Sequence, residues 1–353
     1  MLVLPFFLVY LLPLAVVVGY LLGGWFNFLT PVWAFVIIPL LDLWVGRNKI
    51  NPTEEEERVF GDSLDYKLIT WLTIPVQVAL LFWAAHVVAT EPLSLVALIG
   101  FTLSAGINGG ALSINVAHEL VHKHNAWEKT LGKILLWTVG YTHWWLEHVS
   151  GHHARVSTRL DPATARLGES FYRFWPRTVF GSFFSAWSIE RRRLERAKKP
   201  VWGTSNRILR YIAATLLLAF ALWLLWGWRA VAFYVAQSIV AFSLLEAVNY
   251  LEHYGLLRRE ITPGVYERVM PRHSWNASER VTNYFLFNLQ RHSDHHAHPA
   301  RRYQILRHAE EAPQLPSGYA AMVLLVIVPG LWFKIMDPKV PEDMKALALE
   351  ARA

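Results

Sequence analysis

The first 41 residues of the chain contain no Asp, Glu, Lys or Arg. A membrane hydrocarbon core of roughly 30 Å is crossed by about 20 helical residues, so this stretch is long enough for two membrane-spanning helices. The opening sequence MLVLPFFLVY lacks the basic segment that begins a secretion signal, and we therefore interpret it as a retained span. A chain that starts in this way is expected to fold in a bilayer.

Apolar runs recur along the rest of the chain and form three pairs. Within each pair the linking sequence is short: GGWFN, TEP or WGWR. Because 54% of the residues are hydrophobic and only 17% are charged, we predict an all-α integral membrane protein with six transmembrane helices in three hairpins. We treat residues 1–353 as a single membrane domain. The predicted spans cover about residues 2–22, 25–45, 68–89, 93–116, 208–226 and 230–248.

Lys and Arg are concentrated in the long segments between the hairpins, whereas the short links contain only Arg229. Positively charged loops remain on the cytoplasmic side, so we predict cytoplasmic termini and cytoplasmic catalytic segments at 118–207 and 252–353. Two further apolar stretches, Leu131–Trp145 and Ala320–Ile335, are too short for clear spans. We expect both to lie on the cytoplasmic side.

Most of the 15 histidines fall in four short motifs: HELVHKH, EHVSGHH, YLEHYG and HSDHH. Residues four apart share a helix face, which pairs His118 with His122, His148 with His152, and His292 with His296. His295 is expected on the face of His292, and His153 is expected to turn toward a neighbouring metal. The sequence therefore predicts a metal site with nine candidate ligands: His118, His122, His148, His152, His153, His253, His292, His295 and His296.

The number of histidines helps to choose the kind of metal site. HELVH matches the HExxH pattern of zinc proteases, but such an enzyme needs only two or three protein ligands. Nine imidazoles fit two metals that are five- or six-coordinate with open positions, which favours a dinuclear redox site over four-coordinate zinc. The chain has no cysteine, so thiolate ligands and iron–sulfur centres are excluded.

Acidic residues adjoin the histidine motifs. Carboxylates that accept the second ring N–H of a ligating histidine fix its tautomer. We predict this role for some of Glu119, Glu147, Glu252 and Asp294. Direct carboxylate ligation of the Glu-x-x-His type does not match the spacing of EHVSGHH or HSDHH.

The motifs HELVHK, EHVSGHH, NYLEHYGL and LQRHSDHHAHP resemble the signature set of the membrane alkane 1-monooxygenases, and the likeness continues through DPATARLGES, HSWN and MDPKV. The resemblance implies a multi-pass protein of the bacterial inner membrane with two non-haem irons bound on its cytoplasmic side. It implies O2-dependent terminal hydroxylation of medium- to long-chain n-alkanes. The expected electron donor is rubredoxin, supplied by its reductase and NAD(P)H.

Other functions remain open from the sequence. A fatty-acyl desaturase or an aromatic-methyl hydroxylase would share the histidine motifs, whereas a metal transporter should have more ionisable residues inside its spans than Asp42, His86 and Glu246. Nucleic-acid binding is not expected beside a bilayer. The basic run Arg191–Lys199 could contact lipid head groups or an acidic electron carrier. Docking of rubredoxin is predicted at four arginines near the histidines: Arg155, Arg291, Arg301 and Arg302.

Overall fold

The computed structural model describes residues 3–350, so Leu2, where the first predicted span begins, and residues 351–353 lie outside it. Within the described residues, six helices are long and apolar enough to cross a membrane, which confirms the predicted number of spans. We call them spans 1 to 6 in chain order. Their bounds are Leu4–Leu22, Gly24–Val45, Leu64–Thr90, Leu95–Val121, Arg207–Trp226 and Trp228–His253.

Spans 4 and 6 continue beyond the ends predicted at Val116 and Val248. The apolar pattern marks the part of a helix that faces hydrocarbon, but backbone hydrogen bonds can carry the helix further through polar residues. The extension places His118 in the last turn of span 4 and makes His253 the last residue of span 6. Both histidines therefore lie on rigid helices that emerge from the membrane domain.

Spans 4 and 6 pack closely because glycines line their contact. A Cβ atom at Gly110 would lie 2.8 Å from the Ala241 carbonyl oxygen, and one at Gly106 would lie 2.5 Å from the Val240 Cβ. Only glycine allows this approach of the two helices. The same part of span 4, Gly109–Ile114, is a π-helical turn, a feature that often occurs at functional sites.

The remaining helices form a layer at one end of the spans, together with an antiparallel hairpin in which Glu260 pairs with Tyr266. The stretch predicted at Leu131–Trp145 is divided between two helices, and Ala320–Ile335 is divided between two others. The helices are α1 (Glu54–Gly61), α2 (Ala126–Thr138), α3 (Trp144–Glu147), α4 (His153–Arg155), α5 (Phe171–Arg196), α6 (Arg280–Phe285), α7 (His292–Ala297), α8 (Tyr319–Val326), α9 (Pro329–Met336) and α10 (Glu342–Glu350); the strands are β1 (Glu260–Thr262) and β2 (Val265–Tyr266).

Two acidic residues inside the spans, Asp42 and Glu246, have structural partners. Asp42 of span 2 accepts hydrogen bonds from the backbone N–H groups of Val281 (2.8 Å) and Thr282 (3.1 Å), and so caps the start of α6. Glu246 of span 6 accepts hydrogen bonds from Tyr141 (3.0 Å), Thr178 (2.8 Å) and Asn249 (3.0 Å). Since these donors satisfy both carboxylates, neither residue supports an ion pathway of the kind expected for a transporter.

Candidate metal centre

The nine candidate histidines meet at one end of the spans and divide into two groups. In each group the nitrogen atoms that could bind a metal all lie within 4.8 Å of one another. Group 1 consists of His118, His122, His148, His153 and His295. Group 2 consists of His152, His253, His292 and His296.

His118 and His122 fall in the same group, as their spacing indicates, but His148 and His152 do not. The segment His148–His152 is a π-helical turn and not an α-helix. Its hydrogen bonds join residues five apart, so His148 lies on the same face as His153. The Nε2 atoms of His148 and His153 are 3.1 Å apart, and His152 turns to group 2. The rings of His148 and His152 do lie side by side, as expected, with centroids 5.2 Å apart, but the two residues belong to different groups.

Helix α7 contributes to both groups. His292 and His296 are four residues apart and their Nε2 atoms are separated by 2.9 Å in group 2. His295 is rotated by about 100° from its neighbour His296 on an α-helix and belongs to group 1. The rings of His292 and His295 do lie side by side, as expected, with centroids 5.7 Å apart, but they belong to different groups, so α7 lies between the two groups.

The distances within the groups fit shared metal ions. Two nitrogens bound to one ion at about 2.1 Å, at angles between a right angle and a tetrahedral angle, lie about 3.0–3.4 Å apart. The Nε2 atoms of His153 and His295 are separated by 3.3 Å, and those of His253 and His292 by 3.2 Å. The Nε2 atoms of His122 and His152 are buried and have no hydrogen-bond partner among residues 3–350. A cation in each group would satisfy these atoms.

The surroundings of the groups keep most of the imidazoles neutral. Burial, reinforced by the neighbouring histidines, lowers the pKa of His122, His148 and His295 well below the usual value. The same causes lower the pKa of His292 and His296. Neutral imidazole is the form that donates a nitrogen lone pair to a metal. Group 1 can therefore bind a metal without first losing protons, whereas in group 2 His152 is an exception, because Asp161 raises its pKa despite burial.

Asp161 positions one histidine of group 2. Its Oδ2 atom is 2.9 Å from His152 Nδ1 and also accepts a hydrogen bond from the Thr164 hydroxyl (2.6 Å). Burial alone would raise the pKa of Asp161, but these contacts lower it, so the residue is ionised. The carboxylate holds the proton of His152 on Nδ1 and leaves Nε2 free for a metal. Sequence reasoning missed this residue, which reaches His152 because the chain reverses at Ser157 (φ 56°).

Three of the four predicted supporting carboxylates have other partners in the described residues. Glu119 pairs with Lys123 (2.8 Å), Glu147 with Arg155 (2.9 Å), and Asp294 with Arg301 (2.9 Å). Glu252 does reach a histidine, with its Oε2 atom 3.2 Å from His292 Nε2. The predicted role was to accept a hydrogen bond from the second ring N–H. Glu252 instead contacts the ring nitrogen that is available for a metal.

Substitution of Asp161 by asparagine should weaken metal binding in group 2. An amide oxygen can still accept a hydrogen bond from the His152 Nδ1–H group, but it lacks the charge that makes the ligand more basic. Loss of such a supporting partner typically lowers metal affinity by about 10- to 100-fold. When the purified variant is titrated with a chelator, one of the two expected metal ions should be released at a lower chelator concentration than the other. Asp62→Asn, at a side chain that is 98% exposed, is the matched control. Two metals released together, as in the unaltered protein, would contradict the assignment.

An apolar cavity ends at the histidines. Its empty volume, which includes space that opens to the outside, is ≈ 850 Å³. Spans 1, 2, 4 and 6 line it together with α6 and α8. Trp144 lines the cavity and its ring stacks on that of His148, with the ring centroids 4.3 Å apart. The polar residues in the wall are Asn115, His118, His148, Asn249, Glu252, Thr282, His292 and Tyr319.

Comparison with known proteins gives the family. Residues 92–325 match the profile of the fatty acid desaturase family. The chain is 42% identical over 318 residues to alkane 1-monooxygenase 2 of Alcanivorax borkumensis, covering 90% of this chain and 82% of that protein. It is 43% identical over 317 residues to alkane 1-monooxygenase of Acinetobacter baylyi, covering 89% and 77%. The chain belongs to the alkane 1-monooxygenase family.

A more distant similarity lies outside the alkane 1-monooxygenase family. The hydroxylase component of the xylene/toluene monooxygenase of Pseudomonas putida is 28% identical over 336 residues, covering 93% of this chain and 86% of that protein. The histidine motifs alone left the choice between these groups open. The higher identity over a similar length places the chain with the alkane 1-monooxygenases, as the resemblance of its motifs predicted.

Proposed function

We propose that this protein uses O2 to hydroxylate the terminal carbon of medium- to long-chain n-alkanes at two non-haem irons. The observation that carries the proposal is the meeting of an apolar cavity with both histidine groups. His118 and His148 of group 1, and His292 of group 2, form part of the cavity wall. The names of the relatives support an alkane substrate, and the products are a 1-alkanol and water.

The choice of iron rests on the donor set. Five histidines in one group and four in the other, without a thiolate, suit imidazole-binding redox metals. Bound there, two irons supply the redox chemistry that activates O2. The nine histidines hold the metals, while Asp161 orients His152. Metal analysis of the purified protein tests this, since two irons per chain are expected and two zinc ions would contradict it.

The cavity provides what an alkane substrate needs. An alkane has no polar group, so binding must come from apolar contact, which contributes about 0.8 kcal/mol or roughly a fourfold gain in affinity per CH₂ group. The wall follows span 4 from Ile107 to His118, about 16 Å at 1.5 Å per residue. An extended chain in this space has one end at the histidines. The apolar wall excludes water from the reacting carbon and holds it in place.

Filling the far end of the cavity should shorten the preferred alkane. Ile107 is 6% exposed and lies at the far end of the part of the wall that span 4 forms. Ile107→Trp occupies space that a long chain uses, so activity on long alkanes should fall much more than activity on short ones. Ile99→Trp, on the outer face of the same helix, is the control because Ile99 is 46% exposed. Product analysis over a series of alkane lengths measures the effect, and an equal loss at every length would contradict the assigned cavity.

The proposed location is the bacterial inner membrane, with the metal centre on the cytoplasmic side. The distribution of Lys and Arg supports this orientation. A reporter enzyme that works only in the cytoplasm should therefore be active when it is fused at the C-terminus. The same reporter should be inactive when it is inserted at Gly227, between spans 5 and 6. A C-terminus on the periplasmic side would contradict the orientation.

Electrons are proposed to come from rubredoxin, which is reduced by its reductase and NAD(P)H. One hydroxylation consumes one O2, two electrons and two protons, and it forms one alcohol and one water. The chain has no cysteine and so cannot hold a rubredoxin iron or an iron–sulfur cluster itself. The donor must therefore lie outside these 353 residues.

A further inference from the structure

The four arginines predicted to dock the electron donor do not form an open surface. Arg291 is 1% exposed and donates hydrogen bonds to backbone carbonyl groups, including that of Ile50 (3.1 Å). Arg155, Arg301 and Arg302 form ion pairs with Glu147, Asp294 and Glu128, respectively. Because Arg291 is buried and the other three arginines are paired, these side chains stabilise the layer around the histidines and are poorly placed to attract a carrier.

A surface groove lies directly outside group 2. It is bounded by residues 158–169, by Gly255 and Leu257 after span 6, and by α10. Asp161 is one of the residues that border the groove; its side chain is buried, and its carboxylate contacts His152 Nδ1 at 2.9 Å. The two walls are joined by backbone hydrogen bonds from Gly255 to Ala165 (3.0 Å) and from Arg258 to Ser157 (2.7 Å). One residue, Asp161, therefore links the wall of the groove to a candidate metal ligand.

The rim of the groove carries positive charge that is not neutralised. Arg159, Arg166 and Arg173 are exposed along it, and Arg259 continues the row in the adjoining depression. Within residues 3–350 none of these four guanidinium groups takes part in an ion pair. The two carboxylates that border the groove itself are occupied, since Glu169 pairs with Arg177 at 2.7 Å and Asp161 contacts His152. Such guanidinium groups are suited to bidentate contact with surface carboxylates.

We propose that this groove is the docking site of an acidic one-electron carrier protein, and that electrons enter group 2 through Asp161 and His152. The inference rests on the proposed function, which requires an outside donor. Each docking event oxidises the carrier by one electron, and two events supply one hydroxylation. Charge attraction at an exposed rim mainly accelerates association and is weakened by salt.

A second basic surface offers a matched comparison. Residues Arg191, Arg192, Arg196, Lys198 and Lys199 are exposed at and just after the end of α5. This cluster has at least as much positive charge as the groove, but none of its described contacts is with one of the nine histidines. If charge alone determined docking, it would serve equally well. The position of Asp161 favours the groove.

The test compares two double charge reversals, Arg159→Glu with Arg166→Glu in the groove and Arg192→Glu with Arg196→Glu in the α5 cluster. Binding of a purified acidic rubredoxin to the full-length protein is measured by biolayer interferometry over a range of salt concentrations. The groove variant should bind about tenfold or more weakly at low salt and lose most of its salt dependence, because rim charges control encounter. The α5 variant should change by less than about twofold.

Steady-state kinetics provide a second readout. The groove variant should have a raised KM for rubredoxin and a kcat close to that of the unaltered protein, with its iron content unchanged. The lysine pair Arg159→Lys with Arg166→Lys should recover most of the binding. Equal binding by the groove variant and the unaltered protein, or an equal loss in the α5 variant, would overturn the proposal. A stronger loss of binding to anionic lipid vesicles than to rubredoxin would overturn it in favour of a lipid site.

Failure of this inference can be told apart from failure of the proposed function. Chemically reduced protein, given alkane and O2 without any carrier, should form alcohol in a single turnover in the unaltered protein and in the groove variant. Alcohol formation combined with unchanged carrier binding would reject only the docking site. Absence of alcohol from the iron-loaded unaltered protein would reject the hydroxylase function, and with it the inference that rests on it.

Discussion

Replacement of His292 by alanine is expected to abolish alkane hydroxylation and to reduce the iron content to about one per chain. His292 Nε2 lies 2.9 Å from His296 Nε2 and 3.2 Å from His253 Nε2, so it is central to group 2. The change leaves three histidines in that group and opens a buried space beside Glu252. It also removes a side chain that forms part of the cavity wall, where the substrate carbon is expected to lie.

The matched control is His298→Ala, which removes an exposed histidine just after the end of α7 and outside both groups. This variant should keep two irons and full activity. Thermal unfolding of both variants shows whether α7 is intact, since an unfolded protein would also lose metal. A folded His292→Ala variant with two irons and normal turnover would contradict the ligand assignment.

The purified protein given NADH, O2 and an alkane should form no detectable alcohol. Two electrons are needed for each turnover, and the chain has neither a cysteine for an iron–sulfur centre nor a GxGxxG turn for a nicotinamide or flavin. Addition of rubredoxin and its reductase should restore activity. The restored rate should fall as ionic strength rises, because the attraction between an acidic carrier and the basic protein surface is screened over about 10 Å at 0.1 M salt.

Gas chromatography of the extracted alcohol measures this effect, with boiled reductase as the negative control. Sustained turnover with NADH alone would show that the chain contains an electron-transfer route that its residues do not reveal. A rate that depends on rubredoxin but not on salt would support rubredoxin as the electron donor. It would nevertheless contradict electrostatic docking.

The spans and the identity of the candidate ligands could be predicted from the sequence because each depends on a local pattern. Uncharged runs of about 20 residues indicate spans, and histidines at short intervals indicate metal sites. The ends of spans 4 and 6 could not be predicted in this way. Both helices continue through polar residues to His118 and His253, where hydrogen bonding and tertiary contacts replace the hydrocarbon environment.

The division of the histidines between two groups also depended on features that the sequence does not mark. A π-helical turn at His148–His152 changes which residues share a face, and it depends on how the segment packs. Gly151 permits this packing, since a Cβ atom there would lie 2.4 Å from Glu147 Oε1. The role of Asp161 requires a chain reversal, and the burial of Arg291 requires contacts with residues more than 200 positions away.

Incorporation of oxygen from labelled O2 tests the central claim most directly. Protein containing two irons is supplied with rubredoxin, reductase, NADH, a medium-chain n-alkane and ¹⁸O₂, and the products are analysed by mass spectrometry. The proposed function predicts a 1-alkanol that carries one ¹⁸O atom, with no product hydroxylated inside the chain. An alkene from a fatty-acyl substrate, or no alcohol from any alkane despite two bound irons, would contradict it.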